Sequence, residues 1–170
     1  RAGRAGRGPA EWAVRWPAEA VRRLALALAA ATTIGVPAPS EARPLRVMSL
    51  DQCGDQYVLA LATDADLALS PRAHDPDAWM REAAAGRRHV RPTLEGAVAF
   101  DPDVVVRYWG GDARLLARLR ARGVRVVTLA DATGFDGIRD NIGLTADALG
   151  VARRGDALIA RMDRQLQAAA

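Results

Sequence analysis

Two carboxylates, Asp51 and Asp55, lie around the end of the first stretch with strand character, residues 45–50 (LRVMSL). Some α/β enzymes keep catalytic carboxylates at such a strand end, so general acid–base chemistry is one interpretation. Asp55 is better interpreted as the cap of the helix predicted over residues 55–62, because a carboxylate there accepts backbone N–H groups. No G-x-S-x-G, H-E-x-x-H or P-loop pattern occurs in the chain. A small exported Rossmann-like enzyme that uses Asp51 and Asp55 is therefore the alternative hypothesis.

The stretch DPDVVVRYWGG, residues 101–111, places aromatic side chains directly after a buried strand, which its run of three valines predicts. Tyr108 and Trp109 follow the strand, and Gly110 and Gly111 let the chain turn without covering them. In a parallel sheet, ligands bind at the carboxyl ends of the strands. Aromatic rings at that edge suit a large, flat or partly apolar ligand. The alternative is that one ring only packs over the end of the sheet.

The two histidines, His74 and His89, and the single cysteine, Cys53, give no metal site in this sequence. Two histidines without a third ligand are interpreted as surface residues. One cysteine forms no intrachain disulfide and no cysteine-based metal site, and it is interpreted as a small buried hydrophobe. We therefore expect no metal ligands, no catalytic residues and no cofactor.

The charge of the chain argues against a nucleic-acid partner. The 170 residues carry a formal net charge of +4, but residues 1–42 hold six Arg and only three Glu. The remainder, with 18 basic and 17 acidic residues, is close to neutral. Since no basic stripe with interleaved aromatic residues follows, we expect no nucleic-acid binding.

Residues 1–42 are predicted to be an N-terminal extension and a secretory signal. Arg22 and Arg23 precede the apolar run at 24–36, and Ser40 and Ala42 follow at the small-residue positions of a cleavage site. The run is short for a membrane span, and a short buried helix is the alternative interpretation. The pattern predicts export to the periplasm. Residues 1–20 do not begin with Met and are interpreted as a gene fragment or a misassigned start.

The mature part alternates between strand and helix patterns. Strands are predicted at 45–50, 67–70, 103–106 and 124–129, and helices at 55–62, after Thr93, after Asp112, at 135–149 and from about 153 to the end. Thr93 and Asp112 are predicted N-caps, and Gly123 is a predicted helix C-terminus. This alternation predicts an α/β fold, a Rossmann-like lobe whose parallel sheet is covered by helices on both faces.

Three blocks carry a family resemblance: RVMSLDQCGDQYVLALA, TLEGAVAFDPDVVVRYWGG and LRARGVRVVTLADATGFDGIRDNIGLTADALG. In their order and spacing they resemble the N-terminal lobe of periplasmic substrate-binding proteins of iron–siderophore, haem and cobalamin ABC importers. The resemblance implies a lobe at 43–150 and the start of a long interlobe helix at 151–170. It also implies that the second lobe is missing, so that this chain binds ligand weakly and self-associates.

The resemblance also implies roles for individual residues. Tyr108 falls on the aromatic ligand contact after the strand, with Trp109 beside it, and the loop with Asp51 and Gln52 faces the cleft. Arg72 stands where the cobalamin-binding members have a stacking tyrosine, which favours an anionic ligand.

Glu95, early in the helix after Thr93, matches an exposed glutamate that docks on the membrane permease in these proteins. The main hypothesis is a solute-binding component of an ABC importer, without chemistry of its own, that captures an iron–siderophore, haem or corrinoid ligand. It would deliver this ligand to a permease in the inner membrane.

Overall fold

The computed structural model describes residues 43–170, so the predicted secretory signal at 1–42 lies outside the described residues. Five strands form one parallel sheet in the order β3-β2-β1-β4-β5. Their bounds are Arg46–Ser49 (β1), Asp66–Leu69 (β2), Arg88–His89 (β3), Val104–Arg107 (β4) and Arg125–Thr128 (β5). The predicted parallel α/β sheet is confirmed.

In residues 43–170, six α-helices connect and cover the strands. They are α1 (Gln52–Leu61), α2 (Arg81–Ala84), α3 (Leu94–Phe100), α4 (Ala113–Ala121), α5 (Phe135–Leu149) and α6 (Ala152–Ala169). A 3₁₀ turn, Pro71–His74, follows β2. Among residues 43–170, no helix combines the length and apolar character that crossing a membrane requires.

Alternating strand residues bury the two faces of the sheet in separate cores. Val47 and Val106 belong to the core shared with α1 and α5, whereas Met48 and Val105 belong to the core shared with α3 and α4. The period of two in a strand causes this division, because successive side chains point to opposite faces. All four of these side chains are fully buried, as a parallel sheet covered on both faces requires.

The helix ends follow the predicted signals with one exception. The side chain of Thr93 accepts a hydrogen bond from Gly96 N at 3.2 Å, and that of Asp112 accepts one from Leu115 N at 2.7 Å. Gly123, with φ +80°, follows the end of α4 in the left-handed conformation that favours glycine. The assignment of Asp55 as the cap of the first helix is wrong, because α1 begins one turn earlier and Asp51 is its N-cap.

The chain between Leu69 and Leu94 contains the elements that the sequence did not predict. These are the 3₁₀ turn, the four-residue helix α2 and the two-residue edge strand β3. Strand β3 pairs with β2 through Ala68 opposite Arg88 and Leu69 opposite His89. Its side chains are exposed and polar, so no apolar run marks it in the sequence.

Candidate functional site

The candidate site lies where the strand order of the sheet reverses. Strands β1 and β4 are neighbours at the centre, and the chain moves from β1 outward to β2 and β3 on one side and from β4 to β5 on the other. The loops that leave the carboxyl ends of β1 and β4 therefore diverge and open a crevice between them, which is the usual ligand position in open α/β sheets. Asp51 begins the first loop, and Tyr108 begins the second.

Asp51 ties these two loops together. One carboxylate oxygen, Oδ1, accepts the backbone N–H of Gly54 at 2.8 Å and so caps α1. The other, Oδ2, accepts the backbone N–H groups of Tyr108 at 2.7 Å, Trp109 at 3.0 Å and Gly110 at 2.7 Å. The side chain is 1% exposed, so the carboxylate is fully used in fixing the loop that carries the two aromatic residues.

The two glycines after the aromatic residues each meet a different requirement. A Cβ atom on Gly110 would collide with the carbonyl oxygen of Leu50, so the close approach of the two loops needs a residue without a side chain. Gly111 has φ +78°, in the left-handed region. Nε of Arg107 donates to the carbonyl oxygen of Gly110 at 2.5 Å. The glycine pair therefore lets the loop after β4 contact the loop after β1, while the side chain of Trp109 stays exposed.

Tyr108 is half-buried and packs against the core on the α1 side of the sheet. With residues from α1, α5 and the loop after β5, it lines a pocket of about 250 Å³. The carboxylate of Asp131, which also lines this pocket, raises the pKa of Tyr108.

Trp109 is 53% exposed, and the guanidinium of Arg72 lies over its ring at 5.8 Å from the centroid. Nε of Arg72 donates to Asp75 at 2.8 Å. The structure thus brings together Trp109 and Arg72, two residues that the sequence analysis assigned to the ligand separately. Tyr108 packs against the core and also lines the pocket, whereas the ring of Trp109 is exposed.

Asp55 makes a second carboxylate contact beneath the site. It is buried in the first turn of α1 and accepts the backbone N–H of Ser70 at 2.8 Å and the hydroxyl of Ser70 at 2.6 Å. Burial raises the pKa of this carboxyl group above its ordinary value. Asp51 and Asp55 therefore link α1 to the loops after β4 and β2, and this structural role accounts for both buried carboxylates without catalysis.

The predicted residues Gln52 and Glu95 are not part of the pocket lining. Gln52 is half-buried, and its side-chain amide donates to Asp77 at 3.1 Å. Glu95 is exposed in the first turn of α3, which begins after the carboxyl end of β3.

Cys53 is only half-buried, which corrects its interpretation as a buried residue, and it lines the pocket beside Tyr108. Burial raises the pKa of the Cys53 thiol, so it stays protonated.

An apolar groove of about 710 Å³ continues from this pocket and shares Gln56 and Tyr57 with it. Trp79, which is 90% exposed, and Phe135, which is 51% exposed, belong to its lining. The sequence patterns did not predict this groove or the pocket residues Tyr57, Asp131 and Asn141. Asp131 could have been found, because it follows β5 closely, as Tyr108 follows β4. Another groove, lined by Asp101, Asp103 and Asp147 among others, lies at the opposite, amino edge of the sheet.

Proteins similar to this chain are found among solved structures. Neither the protein-family models nor the curated proteins give a match to this chain. Among solved structures, a periplasmic haem-binding protein from Pseudomonas aeruginosa is 25% identical with a TM-score of 0.59, over 73% of this chain and 45% of that one. A periplasmic haem-binding protein from Roseiflexus sp. RS-1 is 26% identical with a TM-score of 0.60, over 74% of this chain and 49% of that one.

A periplasmic vitamin B12-binding protein from Vibrio cholerae shares the fold, at 22% identity and a TM-score of 0.54, over 73% of this chain and 49% of that one. The chain spans about half the length of the structures that it matches. The resemblance to periplasmic solute-binding proteins is thus confirmed, and the matched part corresponds to one lobe.

Proposed function

We propose that this chain forms a ligand-binding lobe of the solute-binding component of an ABC importer in the periplasm. The observation that carries the proposal is the pair of aromatic side chains held at the reversal point of the sheet by Asp51. A binding protein needs such a rigid, preformed edge, because ordering a loop on binding costs free energy. The similarity to haem- and vitamin B12-binding proteins supports the same conclusion.

The surface around Tyr108 favours a large, flat ligand with an apolar face. The pocket beside Tyr108 is small, but it opens into the apolar groove, whose lining includes Trp79 and Phe135. Exposed aromatic rings of this size gain free energy when a second apolar surface covers them. Haem and corrinoids present such a surface, and we propose a ligand of this kind or an iron–siderophore.

Arg72 supplies the charge that selects an anionic group on that ligand. Its side chain is half exposed, and within residues 43–170 only its Nε has a hydrogen-bond partner, Asp75. The two terminal nitrogens are therefore available to a carboxylate, in the bidentate geometry that guanidinium favours. Haem propionates and carboxylate or catecholate siderophores carry suitable groups.

Asp51 and Gln52 then have different parts in the site. Asp51 acts through the loop that it holds, so we propose it as a positioning residue. Gln52 lies at the start of α1 with its amide directed to Asp77, at the rim where a bound ligand could take over that hydrogen bond. No cofactor is needed for capture and release of the ligand.

The test is a titration of the full-length product of the gene with haem, a corrinoid and ferric siderophores, followed by tryptophan fluorescence. Arg72→Ala should weaken binding of an anionic ligand by about 1.5–3 kcal/mol, the value of a charge-assisted hydrogen bond. Tyr108→Ala should cost a comparable amount, because stacking area is lost. Arg118→Ala, an exposed arginine of α4, is the matched control and should bind like the parent.

Equal affinities of the parent, Arg72→Ala and Tyr108→Ala for every ligand of this panel would refute the site. Conversion of the ligand to a product, detected by mass spectrometry, would instead favour the enzyme hypothesis.

Glu95 is proposed to dock on the permease. It is exposed at the start of α3, where the helix dipole favours a carboxylate, and charges at the rim of an interface mainly set encounter rate and orientation. Glu95→Arg should leave ligand affinity and thermal stability nearly unchanged and abolish transport with the cognate permease. Asp147→Arg, at the amino edge of the sheet, is the control and should transport normally. Transport by Glu95→Arg at the parental rate would remove this residue from the interface.

A further inference from the structure

The two histidines of the chain, 15 positions apart in the sequence, meet at the carboxyl edge of the sheet. His74 ends the 3₁₀ turn after β2, and His89 is the last residue of β3. Their ring centroids are 4.3 Å apart, and the ring planes are inclined by 59°. Both residues are exposed. The backbone fixes this meeting, because β3 pairs with β2 in the register that places His89 opposite Leu69.

This geometry is close to that of two imidazoles bound to one metal ion. Nitrogen–metal distances of about 2.0 Å put the ring centroids roughly 4.5–5 Å apart when the two ligands occupy adjacent coordination positions. The observed separation is slightly shorter, and the rings are inclined and not stacked in parallel. Both side chains are exposed, so rotation about their side-chain bonds can direct one nitrogen of each ring towards a shared ion.

Two arginine side chains next to the pair in sequence contact other groups. The guanidinium of Arg72 is directed to Asp75 and to the ring of Trp109, and the guanidinium of Arg88 lies over the ring of Phe100 at 5.5 Å.

We propose that His74 and His89 form a two-histidine site for a borderline divalent transition-metal ion, with water in the remaining coordination positions. Imidazole nitrogen suits Cu²⁺, Ni²⁺ and Zn²⁺, and the expected order of affinity places Cu²⁺ first. Among residues 43–170, no group of three or more His, Cys, Asp or Glu side chains could hold a metal ion. The site therefore binds less tightly than a structural zinc site and leaves positions open. It does not depend on the ligand proposed for the cleft.

The experiment is calorimetric titration of the full chain with Ni²⁺ alone, without any organic ligand, in a buffer that does not bind metals. The parent should bind one equivalent. His74→Ala and His89→Ala should each weaken Ni²⁺ binding by at least about tenfold. Removal of a residue that only hydrogen-bonds to a metal ligand already weakens metal binding by about tenfold or more, and these substitutions remove a ligand itself. Cys53→Ala, which removes the only thiol of the chain, should bind Ni²⁺ like the parent.

A second measurement tests the same site in the parent protein, in case a variant fails to fold. The electron paramagnetic resonance spectrum of the Cu²⁺ complex should show coupling to two imidazole nitrogens, and to one in either histidine variant. Unchanged Ni²⁺ affinity in the two folded variants, or a Cu²⁺ spectrum of the parent with fewer than two imidazole nitrogens, would overturn the proposal.

Discussion

Replacement of Asp51 by asparagine tests whether one carboxylate holds the whole candidate site together. The variant keeps the shape of the side chain and one oxygen acceptor, but it replaces the other oxygen by an NH₂ donor. In the parent, Oδ1 serves Gly54 and Oδ2 serves three consecutive N–H groups that begin at Tyr108. Because the amide has one oxygen, it can satisfy either the helix cap or the loop.

The expected cost follows from these contacts. The favourable orientation keeps the oxygen on the three loop N–H groups and turns the NH₂ towards the N–H of Gly54. That orientation loses a cap, which contributes about 1 kcal/mol, and places two donors face to face in a buried site, where an unsatisfied group costs about 1–3 kcal/mol. We therefore expect Asp51→Asn to lower the free energy of unfolding by about 2–4 kcal/mol.

The assay is urea denaturation followed by helical circular dichroism, with Asp112→Asn as the matched control. Asp112 caps α4 through one hydrogen bond to Leu115 and has no second loop to hold. Asparagine and aspartate are nearly equivalent at an ordinary cap, so the control should change stability by less than about 0.5 kcal/mol. Equal effects of the two substitutions would show that Asp51 is only a helix cap and would refute the reasoning.

Two further substitutions test other features of the fold. Gly110→Ala should lower the free energy of unfolding in urea by about 1–3 kcal/mol, because the added Cβ meets the carbonyl of Leu50. Gly143→Ala in α5, with open space around it, should raise it by about 0.5–1 kcal/mol. An unchanged free energy of unfolding for Gly110→Ala would contradict the close approach of the loops. The hydrogen bond from Arg43 lowers the pKa of Asp103. The stabilisation of the fold by this ion pair is therefore present above the ordinary aspartate pKa, and it is lost as the pH falls through the lowered pKa of Asp103. Asp103→Asn should therefore be less stable than the parent at pH 7, and denaturation curves at decreasing pH should show the difference disappear; a difference independent of pH would exclude the ion pair as its cause.

The sequence predicted the parts of this fold that local patterns control. The valine run gave β4 within one residue, and the helix at 135–149 was confirmed at both ends. The caps at Thr93 and Asp112 were also confirmed, because a cap is a contact between a side chain and a backbone group three residues later. The resemblance to periplasmic solute-binding proteins, drawn from the order of three blocks, agrees with the structural comparison.

Contacts between distant segments could not be predicted in the same way. Asp51 meets Tyr108 across 57 residues of sequence, and nothing near Asp51 in the sequence indicates which loop its second oxygen serves. Asp55 shows the consequence: its position before an apolar helix pattern predicted a cap, whereas it lies inside the helix and bonds to Ser70 on another strand loop. In both cases the residue type predicted a carboxylate that accepts hydrogen bonds, but the strand order determined which loop donates them.

Strand order is also the reason that the sequence interpreted His74 and His89 as separate surface residues and identified the pocket around Tyr108 only in part. A strand of two polar residues carries no apolar period, so β3 and the register that brings His89 to His74 are decided by pairing with β2 alone. Asp131 differs, since it follows a strand that the sequence did predict. Side chains that follow neighbouring parallel strands converge at one edge, so the rule that selected Tyr108 after β4 selects Asp131 after β5 once β4 and β5 are known to be neighbours. The decisive information for both sites is therefore which strands are adjacent.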